Sequence, residues 1–147
     1  MSELGARLGA SFRDPNGFLF KQDNILYRQI NQSYRDNYQH LINSGLYKSL
    51  IKDNLLIDHE EVTVSPLDAS IAFNVIRPKQ IPFISYPYEW SFSQLKNAAL
   101  TTLKIQQRAL KFGMSLKDAI AYNVQFHQGR PLLLDTLSFE IYEKGQP

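Results

Sequence analysis

The stretch "SLKDAIAYNVQFHQGRPLLLDTLSFE", residues 115 to 140, sets two acids and an amide around short apolar runs. Asp118 is followed five residues later by Asn123, and Asp135 closes a run of leucines. The pattern predicts a loop at Asp118 and a hairpin over roughly residues 123 to 135, with "NVQF" and "PLLL" as its strands and Gly129 in its turn. A hairpin returns its end to its start, so three oxygen-bearing side chains would converge there. Oxygen ligands are what a hard cation seeks. Each residue also has a plainer use. Asp118 could cap a helix or be a surface carboxylate, Asn123 could bond its own turn, and Asp135 could cap the segment that follows.

The elements that would position this group are legible in the patterning. "GFLFKQDNILYRQI" gives two apolar runs around Gln22, Asp23 and Asn24, which predicts a hairpin from Gly17 to Ile30. Ser33 and Asp36 resemble a capping pair for a helix with Tyr34, Tyr38, Leu41 and Ile42 on one face, ended by Gly45. A short helix is expected over Leu46 to Lys52. "LLIDHEEVTVSP" mixes a strand with an acidic turn at "DHEE", and Pro78 and Pro82 bound the strands near "AFNVIRP". The strongest helix is "SFSQLKNAALTTLKIQQRALKFG". Ser91 and Gln94 form its capping box, Phe92, Leu95, Ala99, Leu103 and Leu110 make the stripe expected to pack on the core, and Gly113 ends it. Residues 1–16 read as a loosely held arm and 17–147 as one α+β module.

Composition narrows the function classes. The 147 residues contain 44% hydrophobic residues, enough for a real core, and 16 Lys and Arg against 14 Asp and Glu. Basic residues are scattered, which excludes the footprint of a nucleic-acid binder. There is no cysteine, hence no disulfide or thiolate site. No segment reads as a signal peptide or membrane span, so a cytoplasmic protein is expected. His40, His59 and His127 stand apart, against a histidine metal site. Tyr86, Tyr88 and Trp90 read as core aromatics.

The order helix, Asp, four residues, Asn, hairpin, Asp resembles the catalytic segment of protein kinases and of aminoglycoside phosphotransferases. That resemblance implies a partial protein kinase-like fold with β-hairpins and one long central helix. It also implies Asp118 as the catalytic base and Asn123 and Asp135 as ligands of Mg²⁺ on ATP. "ISYPYEW" lies where such proteins place the hinge that meets adenine, which makes Glu89 a nucleotide-binding candidate. Arg28, on the second strand of the first hairpin, stands in for the missing phosphate-contacting lysine. Departures are clear: Leu116 replaces the usual His, Thr136 and Leu137 replace Phe and Gly, and the glycine-rich loop is incomplete.

A second resemblance covers nearly the whole chain, from "FRDPNGFLF" and "LYRQIN" through "SGLY", "PFISYPYEW", "FSQLKNAALTTLKIQ" and "GMSLKDAIAYNVQF" to "GRPLLLDTLSFE". It is to the N-terminal region of bacterial proteins classed as class I S-adenosylmethionine-dependent methyltransferases, some of them nodulation-related. The resemblance implies a front module, incomplete at its C-terminal end, that partners a downstream methyltransferase domain or another protein. The strand, glycine turn and helix that hold S-adenosylmethionine are absent from this sequence, so the cofactor would bind only downstream. Three readings follow: a kinase-like module binding Mg-nucleotide, a non-catalytic interaction or substrate-presenting module, and an inactive truncation product.

Overall fold

The computed structural model describes residues 6–7, 15–81, 89–117 and 123–143. It is an α+β fold in which every ladder between strands is antiparallel. The chain forms two compact units, Met1–Tyr38 with Asp58–Gln80, and Gln39–Ile57 with Ile81–Pro147.

The first unit is built on one five-stranded sheet. Its strands are β1 (Ala6–Arg7), β2 (Gly17–Gln22), β3 (Ile25–Asn31), β4 (His59–Val62) and β5 (Ala72–Pro78), in the order β1-β2-β3-β5-β4. The β2–β3 hairpin turns on Asp23 and Asn24, whose φ angles of 52° and 65° are both left-handed. Such a pair matches the right-handed twist of the flanking strands, and Asp and Asn tolerate it better than other side chains. Phe20 and Tyr27 face each other across the hairpin with ring centroids 5.6 Å apart, and Val75 joins them in a small core. A buried amide pair ties the loops to this sheet. Gln29 exchanges bonds of 2.9 Å with the backbone of Asp68 and donates to Asn31 Oδ1 at 2.7 Å, while Asn31 donates to the Pro15 carbonyl.

Three local expectations change here. The arm contributes edge strand β1, paired to Phe20 and Lys21. Ser33 does not cap a helix: it sits inside a 3₁₀ turn, Gln32–Tyr34, and its hydroxyl turns to Pro15 O and Asn16 Oδ1. The acidic "HEE" is strand rather than turn, because β5 offers it a full ladder and Arg77 there neutralises Glu60.

Helix α1 (Arg35–Asn43) carries the chain from the first unit into the second. Gly45, at φ 93°, then starts α2 (Leu46–Lys52). The long helix α3 (Phe92–Lys111) begins with the expected capping box: Ser91 accepts from Gln94 N, and Gln94 accepts from Ser91 N. Three short strands and a fourth complete the unit: β6 (Met114–Leu116), β7 (Val124–His127), β8 (Arg130–Leu133) and β9 (Phe139–Ile141), pairing β6 with β9 and β7 with β8. The core gathers Leu41, Leu46, Leu50, Trp90, Ile105, Met114, Val124, Leu133 and Phe139. Trp90 packs edge-on against Phe126 at 5.0 Å, the core role expected of it.

The stripe on α3 is a correction. Ala98, Ile105 and Ala109 are the residues that enter the core, whereas Phe92, Leu95, Ala99, Leu103 and Leu110 are exposed. The periodicity is helical on both faces, and the smaller side chains face inwards because they let α3 approach its neighbours closely.

Candidate functional site

Asn123 and Asp135 lie at one end of the β7–β8 hairpin, whose register runs from Val124↔Leu133 to His127↔Arg130. The turn at the other end uses Gln128 and Gly129, with φ of 53° and 79°. Below the last ladder pair, Leu134 N donates to Asn123 O at 2.7 Å, so the amide and the acid are held within a residue of each other across the hairpin's base.

Asp135 plays the plain role as well. Its Oδ1 accepts from Leu137 N at 3.0 Å and caps the 3₁₀ turn Thr136–Ser138. Thr136 and Leu137, standing where kinases carry Phe and Gly, are buried. Asn123 Nδ2 is buried and has no hydrogen-bond partner among the described residues, as is Ser138 Oγ. A buried donor left unmade costs free energy and invites an acceptor from outside the fold.

Asp118 lies outside the described residues, as do Tyr86 and Tyr88. Its chain neighbourhood is nonetheless fixed on both sides. Lys117 N donates to Ser138 O at 2.8 Å, continuing the β6–β9 ladder, and the chain returns at Asn123, bonded to Leu134. The ladder that brackets residues 118–122 had no sequence signal: "MSL" and "FEI" are too short for period-two patterning to register.

Arg28 belongs to the first unit. It lies on β3 between Leu19 and Ile76 and is 8% exposed. Burial of an arginine in a sheet is uncommon and marks it as more than a surface cation. Glu89 is exposed just before Trp90 and α3. Neither α1 nor α2 contains a glutamate, and Asp36, in the first turn of α1, pairs with its neighbour Arg35 in solvent. Among the described residues no group of three or more His, Asp or Glu side chains could hold a metal ion.

A second polar group was missed by the sequence. Tyr38 Oη lies 3.0 Å from His59 Nε2 and donates to Glu61 Oε1 at 3.2 Å. The Tyr38 hydroxyl thus links His59 and Glu61 in one hydrogen-bonded group. Burial pushes the His59 pKa below its ordinary value against the opposing pull of Asp58 and Glu61. Next to it, Asp58, Glu60, Arg77 and Lys79 border an open depression of mixed charge. His40 is satisfied elsewhere: its Nε2 donates to the Phe112 carbonyl at 2.7 Å, at the end of α3.

No protein-family model matches the chain. It is 36% identical over 143 residues to the nodulation protein NoeA of Rhizobium meliloti (strain 1021), an alignment that takes in 95% of this chain and 29% of NoeA. The chain thus spans less than a third of the length of this relative. The nodulation-related part of the expected resemblance is met, and the name of NoeA states neither a methyltransferase nor a kinase. No helix among the described residues is long and apolar enough to cross a membrane.

Proposed function

We propose that this chain is a module of a longer nodulation-type bacterial protein, with a degenerate kinase-like fold that takes Mg-nucleotide and performs no methyl transfer by itself. The observation that carries this reading is the base of the β7–β8 hairpin, where Asn123, whose amide donor is unmet, bonds through its backbone to Leu134, the residue before Asp135. In protein kinases an asparagine and an aspartate in these positions hold the metal ions on the phosphates. The third strand of their sheet also carries the phosphate-contacting cation, and Arg28 on β3 followed by α1 supports the same role. Asn123 and Asp135 would supply oxygen ligands to Mg²⁺, Glu89 would border the nucleotide, and Asp118 would accept a hydroxyl proton. S-adenosylmethionine would be handled by a downstream domain.

A non-catalytic interaction module is favoured by a separate observation. Kinases pair the β3 cation with a glutamate of the following helix, and α1 and α2 have none. Calorimetric titration with ATP, with and without Mg²⁺, separates the two. Metal-dependent binding that Asp135→Asn abolishes supports the first reading. Equal affinity of the two folded proteins, or no binding by either, hands the chain to the second.

A further inference from the structure

Among the described residues, the outward face of α3 carries five exposed large apolar side chains. Phe92 is 83% exposed, Leu103 60%, Leu100 53%, and Leu95 and Leu110 43% each. With 1.5 Å of rise per residue, this row extends for about 27 Å along the helix. Apolar residues at this spacing on a packed helix bury a seam against another element, and scattered exposure does not produce such a register.

Charge selects the occupant. Residues 92 to 111 include no aspartate or glutamate, and Lys96, Lys104 and Lys111 fall on one side of the stripe, with Leu100 between the first two. An antiparallel second copy of the chain would lay this basic border against its own like. A helix lying in a membrane interface presents a polar face opposite its apolar one, whereas the opposite side of α3 is core, through Ala98, Ile105 and Ala109. NoeA extends well beyond the aligned segment, which is 29% of it.

We propose that the exposed face of α3 is a docking surface for an amphipathic helix bordered by aspartate and glutamate, supplied by the remainder of the longer protein. This rests on the module reading above but uses neither Asn123 nor Asp135. Leucines of the incoming helix would interleave with Leu95, Leu103 and Leu110, and its carboxylates would meet Lys96 and Lys104.

The test uses the whole 147-residue chain and two synthetic amphipathic peptides with the same leucine register, one bordered by glutamates and the other by lysines. The acidic peptide is expected to bind, and Leu103→Glu, Lys104→Glu and raised salt should each weaken it by about tenfold or more. Leu103 and Lys104 are exposed, so both variants keep the fold, which circular dichroism checks. Absence of acidic-peptide binding, equal binding of the lysine peptide, or indifference to both substitutions overturns the surface. Self-association of the chain that Leu103→Glu abolishes would assign the face to a second copy instead. Binding to phosphatidylserine vesicles, lost in the same variant, would assign it to a membrane. An authentic stop codon after Pro147 overturns the module reading and the source of the helix, while peptide binding still reports on the face itself. Loss of nucleotide binding touches neither result.

Discussion

Asp135 carries two jobs that one substitution can separate. As a cap it needs only an acceptor oxygen, which asparagine keeps; as a metal ligand it needs the charge, which asparagine loses. Asp135→Asn is therefore expected to melt within a degree or two of the parent, whereas Asp135→Ala should lose about 1 kcal/mol in chemical denaturation. A large loss of stability in the asparagine variant would show that the carboxylate's charge is structural. His59 gives a pH signature of the opposite kind. Its folded pKa lies below the ordinary 6.5, so below that value the unfolded chain binds the proton more readily. Its contribution is fully present above pH 6.5 and is lost as pH falls from there through the folded pKa. Urea melts across this window should show parent stability falling with acid more steeply than that of His59→Gln. Parallel curves would remove His59 from the account.

Helix α3 is the element on which patterning and packing part company. Ile105 is fully buried in the core and Leu103, two residues away, is 60% exposed. Ile105→Ala should cost about 3 kcal/mol by loss of contacts and cavity formation. Leu103→Ala should change stability by less than about 0.5 kcal/mol, as surface substitutions do. Comparable losses would place the leucine stripe in a core after all. The capping box gives a third value on the same helix. Ser91→Ala removes one acceptor for the orphan amide of Gln94 and should cost about 1 kcal/mol, read in the same urea melts.

For the molecule as a whole, no strand among the described residues leads through a glycine-rich turn into a helix, the arrangement that cradles a dinucleotide-like cofactor. The chain is therefore expected to show no stoichiometric binding of S-adenosylmethionine in calorimetry. Tight binding would reveal a site of a different architecture. Were the gene to encode a longer product, the same titration of that product would be the complementary measurement. The match to NoeA, confined to 29% of its length, makes that comparison the informative one.

Local chemistry was enough to read the hairpin at Asp23 and Asn24, the box at Ser91 and Gln94, the stop at Gly113 and the hairpin turning on Gly129. Each depends on residues within a few positions of one another, and their backbone preferences act before any tertiary contact forms. The pairing of Asn123 with the neighbourhood of Asp135 was legible for the same reason, since a tight hairpin fixes its own register. Tertiary structure decided the rest. The acidic "HEE" became a strand because β5 presented a partner with Arg77 in register. Ser33 left the helix for Pro15 because the loop lay within reach. Arg28 was buried by the sheet around it, and the β6–β9 ladder formed between segments too short to announce themselves. On α3 a helical period states that two faces differ, but which face is covered depends on what the rest of the chain brings against it. Here α2, β6 and β8 of the second unit came against α3, covered the alanines and Ile105, and left the leucines outside.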